Sequence, residues 1–263
     1  MTLITPRQLV LFCTIALLFT SCLDKSKYAP RPYVRPLEIV KISDSTFLHI
    51  SYLKDTNGGY IGCNGFIYKS GDEVIIFDTP INDSISNQLI EYVQKSLKAT
   101  VKGVVVSHSH VDAAGGVGAF SEAEIPSYAS TKTANMLARD SIFISQPFDS
   151  INTITLGKTK IESRYLGPSH SDDNIVSYIV HPDILIGGCM IKPLGGREGN
   201  LKDANLEAWS NTVTLVKQTY PDTKIVIPGH GGRGGADLLD YTSDMFKKYA
   251  PKEIETEKQG VQN

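Results

Sequence analysis

Past the apolar run Val104-Val105-Val106 the chain reads Ser107-His108-Ser109-His110-Val111-Asp112-Ala113-Ala114-Gly115-Gly116. Two imidazoles at i and i+2 beyond a strand lie on the same side of the backbone, and a carboxylate two residues later can reach round to a neighbouring ion. A surface loop would also hold such residues, but the strand in front and the glycines behind favour a metal site. The chain has six histidines, and two more fall at comparable places. His170 follows Gly167-Pro168-Ser169 and precedes Ser171-Asp172-Asp173-Asn174, while His230 sits in Ile225-Val226-Ile227-Pro228-Gly229-His230-Gly231. Cys189 ends Ile184-Leu185-Ile186-Gly187-Gly188 in the same way. His49 and His181 read as structural or solvent-facing.

Strand ends on one rim of a sheet converge, so these loops can share a cleft. His108, His110 and His170 would leave a fourth zinc position open to water, which marks a catalytic rather than a closed site. Asp112, Cys189 and His230 would make a second, softer zinc site, because a sulfur ligand disfavours magnesium or calcium. Two such ions about 3.5 to 4 Å apart can hold a bridging hydroxide, its pKa lowered toward about 7, that attacks an acyl carbon without a protein nucleophile. The sequence offers no convincing G-x-S-x-G elbow as a competing nucleophile.

The elements that must position these groups begin at Leu37. Runs rich in Val, Ile, Phe and Tyr predict strands over 37–42, 46–53, 65–69, 73–78, 101–107, 151–156, 160–166, 174–180, 184–187 and 224–227. A helix from Asp83 carries Ile85, Leu89, Ile90, Val93 and Leu97 on one face, and another from about Ala204 carries Leu206, Trp209, Val213, Val216 and Tyr220. Shorter helices are predicted over 131–139 and 236–249. Strands, a helix, then strands and helices again suggest an α+β fold with two sheets packed together and helices outside, a four-layer αββα sandwich.

The chain has 263 residues, 41% of them hydrophobic, and a net charge of −2. That composition suits one globular domain and gives no electrostatic footprint for nucleic acid. Residues 9–20 form an apolar run after Arg7 and before Ser21-Cys22, the layout of a secretory signal and too short to span a bilayer. The Phe19-Thr20-Ser21-Cys22 ending resembles a bacterial lipobox, so lipidation at Cys22 and a periplasmic, membrane-anchored lipoprotein are expected. The division is then 1–21 signal, 22–36 tether, 37–250 domain and 251–263 charged tail. Of four cysteines only Cys63 and Cys189 remain in that domain, where an oxidising compartment would let them pair unless a metal claims a thiolate.

The motifs His108-Ser109-His110-Val111-Asp112, Gly167-Pro168-Ser169-His170-Ser171-Asp172-Asp173-Asn174, Gly188-Cys189 and Pro228-Gly229-His230-Gly231 together resemble subclass B1 of the metallo-β-lactamases, over nearly everything from Leu37 to Tyr249. Cys189 selects that subclass, since most other branches use a metal-bridging aspartate there and a histidine where Ala113 stands. The resemblance implies a monomeric β-lactamase with the αββα fold and two Zn2+ ions, hydrolysing penicillins, cephalosporins and carbapenems without a covalent intermediate. It further implies that Lys192 binds the substrate carboxylate, that Asn200 polarises the β-lactam carbonyl, that Asp112 helps protonate the departing nitrogen, and that Asp78 orients ligands. The resemblance also places Tyr60 and Ile61 where the family has a mobile flap over the substrate. Ala113 stands where relatives carry Arg, Lys, Ser or Cys, which implies weaker support for the second zinc. Cys63 replaces a serine of several relatives and, if near that zinc, would compete as a ligand or oxidise with Cys189. The rivals are a lactone or thioester hydrolase of the same fold, and a zinc-binding lipoprotein without catalysis.

Overall fold

The computed structural model describes residues 35–251, so the expected signal, Cys22, most of the tether and nearly all of the charged tail lie outside the described residues. The first sheet contains β1 (Glu38–Lys41), β2 (Thr46–Lys54), β3 (Tyr60–Ser70), β4 (Glu73–Phe77), β5 (Thr100–Val105), β6 (Ser127–Ser130) and β7 (Gln146–Phe148), in that spatial order. The second contains β8 (Ile151–Leu156), β9 (Thr159–Arg164), β10 (Val176–Ile179), β11 (Ile184–Gly188) and β12 (Ile225–Pro228), ordered β12-β11-β10-β9-β8. The helices are α1 (Asp83–Lys95), α2 (Val111–Ala114), α3 (Val117–Glu122), α4 (Thr131–Ala138), α5 (Leu206–Thr219) and α6 (Asp237–Phe246).

Side-chain alternation builds the layers. In β4, Ile75 and Phe77 join Phe66 and Val105 against Ile161, Ile179, Ile184 and Ile186 of the second sheet, forming the core between sheets. Val74 and Ile76 point the other way, onto Leu89, Ile90 and Val93 of α1 and Phe120 of α3. In the second sheet Val176, Leu185 and Val226 turn outward onto Trp209, Val213 and Val216 of α5 and Leu238 and Phe246 of α6. The result is the αββα sandwich expected. Each fully buried aliphatic or aromatic side chain contributes about 1.5–3 kcal/mol, so strands buried on both faces, such as β4, anchor the scaffold.

Both long helices start where the pattern places them. Asn82 accepts the Ile85 N–H ahead of α1, and Asn205 accepts the Ala208 N–H ahead of α5. Other elements depart from expectation. β3 begins at Tyr60 rather than near Gly65, because 60–64 continue the antiparallel register with β2 from Lys54↔Tyr60 to Ile50↔Asn64. The glycine-rich flap is thus the tip of a long hairpin. β6, β7, α2 and α3 were not predicted, being too short to show a period. Among the described residues no helix is long and apolar enough to cross a membrane.

Candidate metal centre

The ligand candidates stand at strand exits. His108 follows β5, Cys189 follows β11 and His230 follows β12, with β11 and β12 parallel, so their exits share a rim. His170 comes from the turn before β10. His110 is the N-cap of α2, and Asp112 lies in its first turn. All six sequence-predicted ligands come together, and His110, Asp112, His170 and His230 line a cleft of about 670 Å3 with Leu53, Ile61, Lys192, Arg197 and Asn200.

His108, His110 and His170 each offer a ring nitrogen within 4.8 Å of the others. Their ring centroids are 4.8–5.1 Å apart and their planes cross at 78–90°, so the edges converge on one point. His110 Nδ1 and His170 Nε2 face each other at 3.1 Å, and His108 Nε2 is buried with no hydrogen-bond partner. Buried polar atoms are ordinarily paired, so a cluster that aims imidazole nitrogens at one another suits a cation that accepts all their lone pairs.

The second group is tighter. Asp112 Oδ2 lies 3.0 Å from Cys189 Sγ and 3.2 Å from His230 Nε2, and those two atoms are 3.3 Å apart. Asp112 Oδ1 is 3.5 Å from His108 Nε2, so this carboxylate adjoins both groups. Burial works against charge on His108 and His230, yet contacts with Asp112 and Cys189 prevail and hold both imidazoles well above the ordinary histidine value. Asp112 is driven the other way: burial opposes its charge, but its close contacts with His108 and His230 hold it far below the usual carboxylate range. His170, buried among cations, drops to about 2, with desolvation the main cause. A site in which protons and like charges crowd this closely fits divalent metal, with nitrogen donors on one side and a sulfur-containing set on the other.

Outer contacts aim these rings. Asp78 accepts the Ser107 N–H at 2.7 Å and the Ser107 hydroxyl at 3.0 Å, and that hydroxyl is 3.0 Å from His108 Nδ1. Asp78 is buried at φ 58, and its carboxyl is raised to about 6, chiefly by desolvation. His230 Nδ1 is 2.8 Å from the Gly62 carbonyl, so Nε2 faces the cleft. Asp173 accepts the Ser109 N–H between the two histidines at 2.8 Å. Gly229 crosses close above the sulfur, where an added Cβ would come within 2.5 Å of Cys189 Sγ.

The remaining candidates fall as follows. Lys192 is not a solvated surface lysine; it is buried, 4.9 Å from the Trp209 ring, and burial lowers its pKa. Asn200 is exposed on the cleft and its Oδ1 accepts the Lys202 N–H. Ile61 lines the cleft, whereas Tyr60 does not. Ala113 points into an apolar cluster with Val106, Val117 and Leu137, and its carbonyl accepts the Thr79 N–H. Cys63 and Cys189 are free thiols, and Cys63 lies beside the second group. His49 is buried against the Asp78 carbonyl, and His181 is exposed. Sequence reasoning missed Asp203, whose carboxylate lies 3.1 Å from His110 Nε2, and Asn64, whose amide donates to the carbonyls of Pro228 and Gly231 around His230. Only the position of Asp203 beside Asn200 hinted at a place on the same cleft.

The model of the metallo-beta-lactamase superfamily matches residues 58–230. A Bacteroides fragilis protein named metallo-beta-lactamase type 2 is 32% identical over 215 residues, covering 81% of this chain and 86% of that protein. The solved metallo-beta-lactamase from Pontibacter korlensis superposes with a TM-score of 0.77 at 31% identity, over 80% of this chain and 99% of that one. FIM-1 from Pseudomonas aeruginosa, solved in a mono-zinc form, superposes at 0.74 with 31% identity, over 83% of this chain and 98% of that one.

Proposed function

The chain belongs to the metallo-beta-lactamase superfamily and is a β-lactam hydrolase of that family, and we propose that it works with two zinc ions, on penicillins, cephalosporins and carbapenems. His108, His110 and His170 would hold the first ion, and Asp112, Cys189 and His230 the second. The observation that carries this reading is the pair of adjoining donor groups, one all nitrogen and one containing sulfur, on a single cleft that also holds a buried lysine. The mono-zinc form of FIM-1 supports zinc as the metal. When bound, such ions supply Lewis acidity and lower the pKa of water toward about 7.

The protein's own groups then orient the substrate. Lys192, its amine 4.9 Å from the Trp209 ring and on the cleft wall, pairs with the carboxylate that β-lactams carry. Because burial has already removed water from that amine, the charge pair forms without much further desolvation. Asn200 keeps its Oδ1 on the Lys202 N–H, which leaves Nδ2 to donate to the carbonyl oxygen as negative charge develops there. Water from solvent protonates the departing nitrogen, and the Asp112 carboxylate, which stays ionised, orients that water. No acyl bond to the protein is formed. Asp78 and Ser107 keep the His108 ring fixed throughout.

The test is a colorimetric cephalosporin assay on purified protein with chelator, then with zinc restored. Expected is hydrolysis that chelator abolishes and zinc recovers, extending to a penicillin and a carbapenem. Zinc-loaded protein that leaves all three classes intact would refute the reading.

A further inference from the structure

Cys63 is buried at 2% exposure, yet it belongs to none of the apolar clusters that hold the sheets and helices together. Its neighbours are polar. Cys63 Sγ, a carboxylate oxygen of Asp112 and a ring nitrogen of His230 all lie within 4.8 Å of one another. A cysteine that served only as a small hydrophobe would be expected among aliphatic side chains.

Its position is also fixed relative to the other donors. Gly62, Cys63 and Asn64 pair in register with Tyr52, Ser51 and Ile50 of β2. On one side of Cys63 the Gly62 carbonyl holds His230 Nδ1 at 2.8 Å. On the other, the Asn64 N–H donates to Gly229 O at 2.8 Å, and its side-chain amide donates to Pro228 O at 2.9 Å and Gly231 O at 2.8 Å. The Gly229 N–H in turn donates to the Gly188 carbonyl, beside Cys189. One strand segment thus clamps the loops that carry His230 and Cys189, with the Cys63 thiol at the centre of the clamp.

We propose that Cys63 is a fourth protein ligand to the second metal, completing a Cys63, Asp112, Cys189 and His230 set around it. This rests on the two-metal reading above. On binding, the Cys63 S–H bond breaks, its proton leaves to solvent, and the thiolate pair forms the bond to the metal. Four protein donors fill the tetrahedral shell that zinc prefers, so the second position becomes closed while the three-histidine position stays open. The second ion is then held more firmly than a three-ligand site would hold it, whatever Ala113 fails to provide.

The experiment replaces zinc in the full domain with cobalt(II) and records the near-ultraviolet sulfur-to-cobalt charge-transfer band in wild type, Cys63→Ser and Cys189→Ser. Two equivalent thiolates should each carry about half of the band, so each variant should lose about half. The second metal equivalent should also bind at least ~10-fold more weakly in Cys63→Ser, the minimum cost of losing even an outer-shell partner. A check that needs no variant is alkylation of native wild type with and without zinc, followed by peptide mapping, in which zinc should protect Cys63. A full band in Cys63→Ser that vanishes in Cys189→Ser, or alkylation of Cys63 at equal rates with and without zinc, overturns the proposal and leaves the two-metal reading standing. Wild type with no sulfur band at all overturns both.

Discussion

The two donor groups on the cleft are built on opposite principles. The three-histidine group is all nitrogen, its rings placed edge to edge, and its control comes from the β4 and β5 exits through Asp78 and Ser107. The mixed group concentrates a carboxylate, a thiol and an imidazole within 3.3 Å of one another, and its control comes from β3 through Gly62 and Asn64. The first can bind a metal while leaving a coordination position for chemistry. The second, with the fourth donor proposed above, would retain one. Division of labour between neighbouring sites therefore follows from donor type and from which strand holds the loops.

The comparison breaks most visibly when one ligand from each group is removed. His170→Ala and Cys189→Ser should each bring β-lactam hydrolysis to the chelator-treated background, a loss above ~100-fold, since removing merely an outer partner already costs about 10–100-fold. Only Cys189→Ser should also diminish the sulfur-to-cobalt band. If His170→Ala kept full activity, the open catalytic position would have to be assigned elsewhere.

Acid separates the two supports next. His49 backs Asp78, which supports the three-histidine side, with Nε2 3.2 Å from the Asp78 carbonyl, and burial depresses its pKa from 6.5 to about 4. The folded protein keeps it neutral while the unfolded chain takes up a proton below pH 6.5. Its contribution to stability is therefore complete above pH 6.5, is lost as the pH falls toward 4, and changes no further below that. The loss amounts to about 3 kcal/mol. Urea unfolding at pH 7 and pH 4, in wild type and His49→Gln, isolates this part, because other titrating groups, Asp78 included, cancel in the difference. Equal pH dependence in both proteins would show that His49 is not the group concerned.

A weaker perturbation is Asp78→Asn. It removes an acceptor from Ser107 and frees the His108 ring, so metal affinity at the three-histidine group should fall about 10–100-fold. The mixed group should be nearly unaffected, and a chelator competition that follows each equivalent separately would show it. Smallest is Lys192→Met, which keeps an unbranched apolar side chain in place and deletes the charge. KM for a cephalosporin should rise about tenfold, consistent with losing a charged hydrogen bond worth ~1.5 kcal/mol, with kcat changing less. A fall confined to kcat would move Lys192 from substrate binding to the chemical step.

Much of this was readable before the structure. His108, His110 and Asp112 sit within five residues, and the strand period in front of them dictates which side chains share a face. The buried runs at β4, β11 and β12 showed as continuous apolar stretches, and the long helices α1 and α5 as amphipathic stripes. The elements that escaped are those without a period: the four residues of α2, the six of α3, and the short strands β6 and β7. The early half of β3 escaped because Gly59 and Gly62 together read as a turn, whereas pairing with β2 starts at Tyr60 and continues through Gly62.

What the sequence alone determined is the inventory of candidate donor side chains and their chemistry, because donor identity and local spacing are properties of the covalent chain. What only the tertiary structure decided is which distant groups share a contact: Asp203 with His110, Asn64 with the His230 loop, and Cys63 with Asp112 and His230. Those pairs are separated by tens to more than a hundred residues. Their meeting depends on how two twisted sheets stack and bring their strand exits to one rim, which no local pattern encodes.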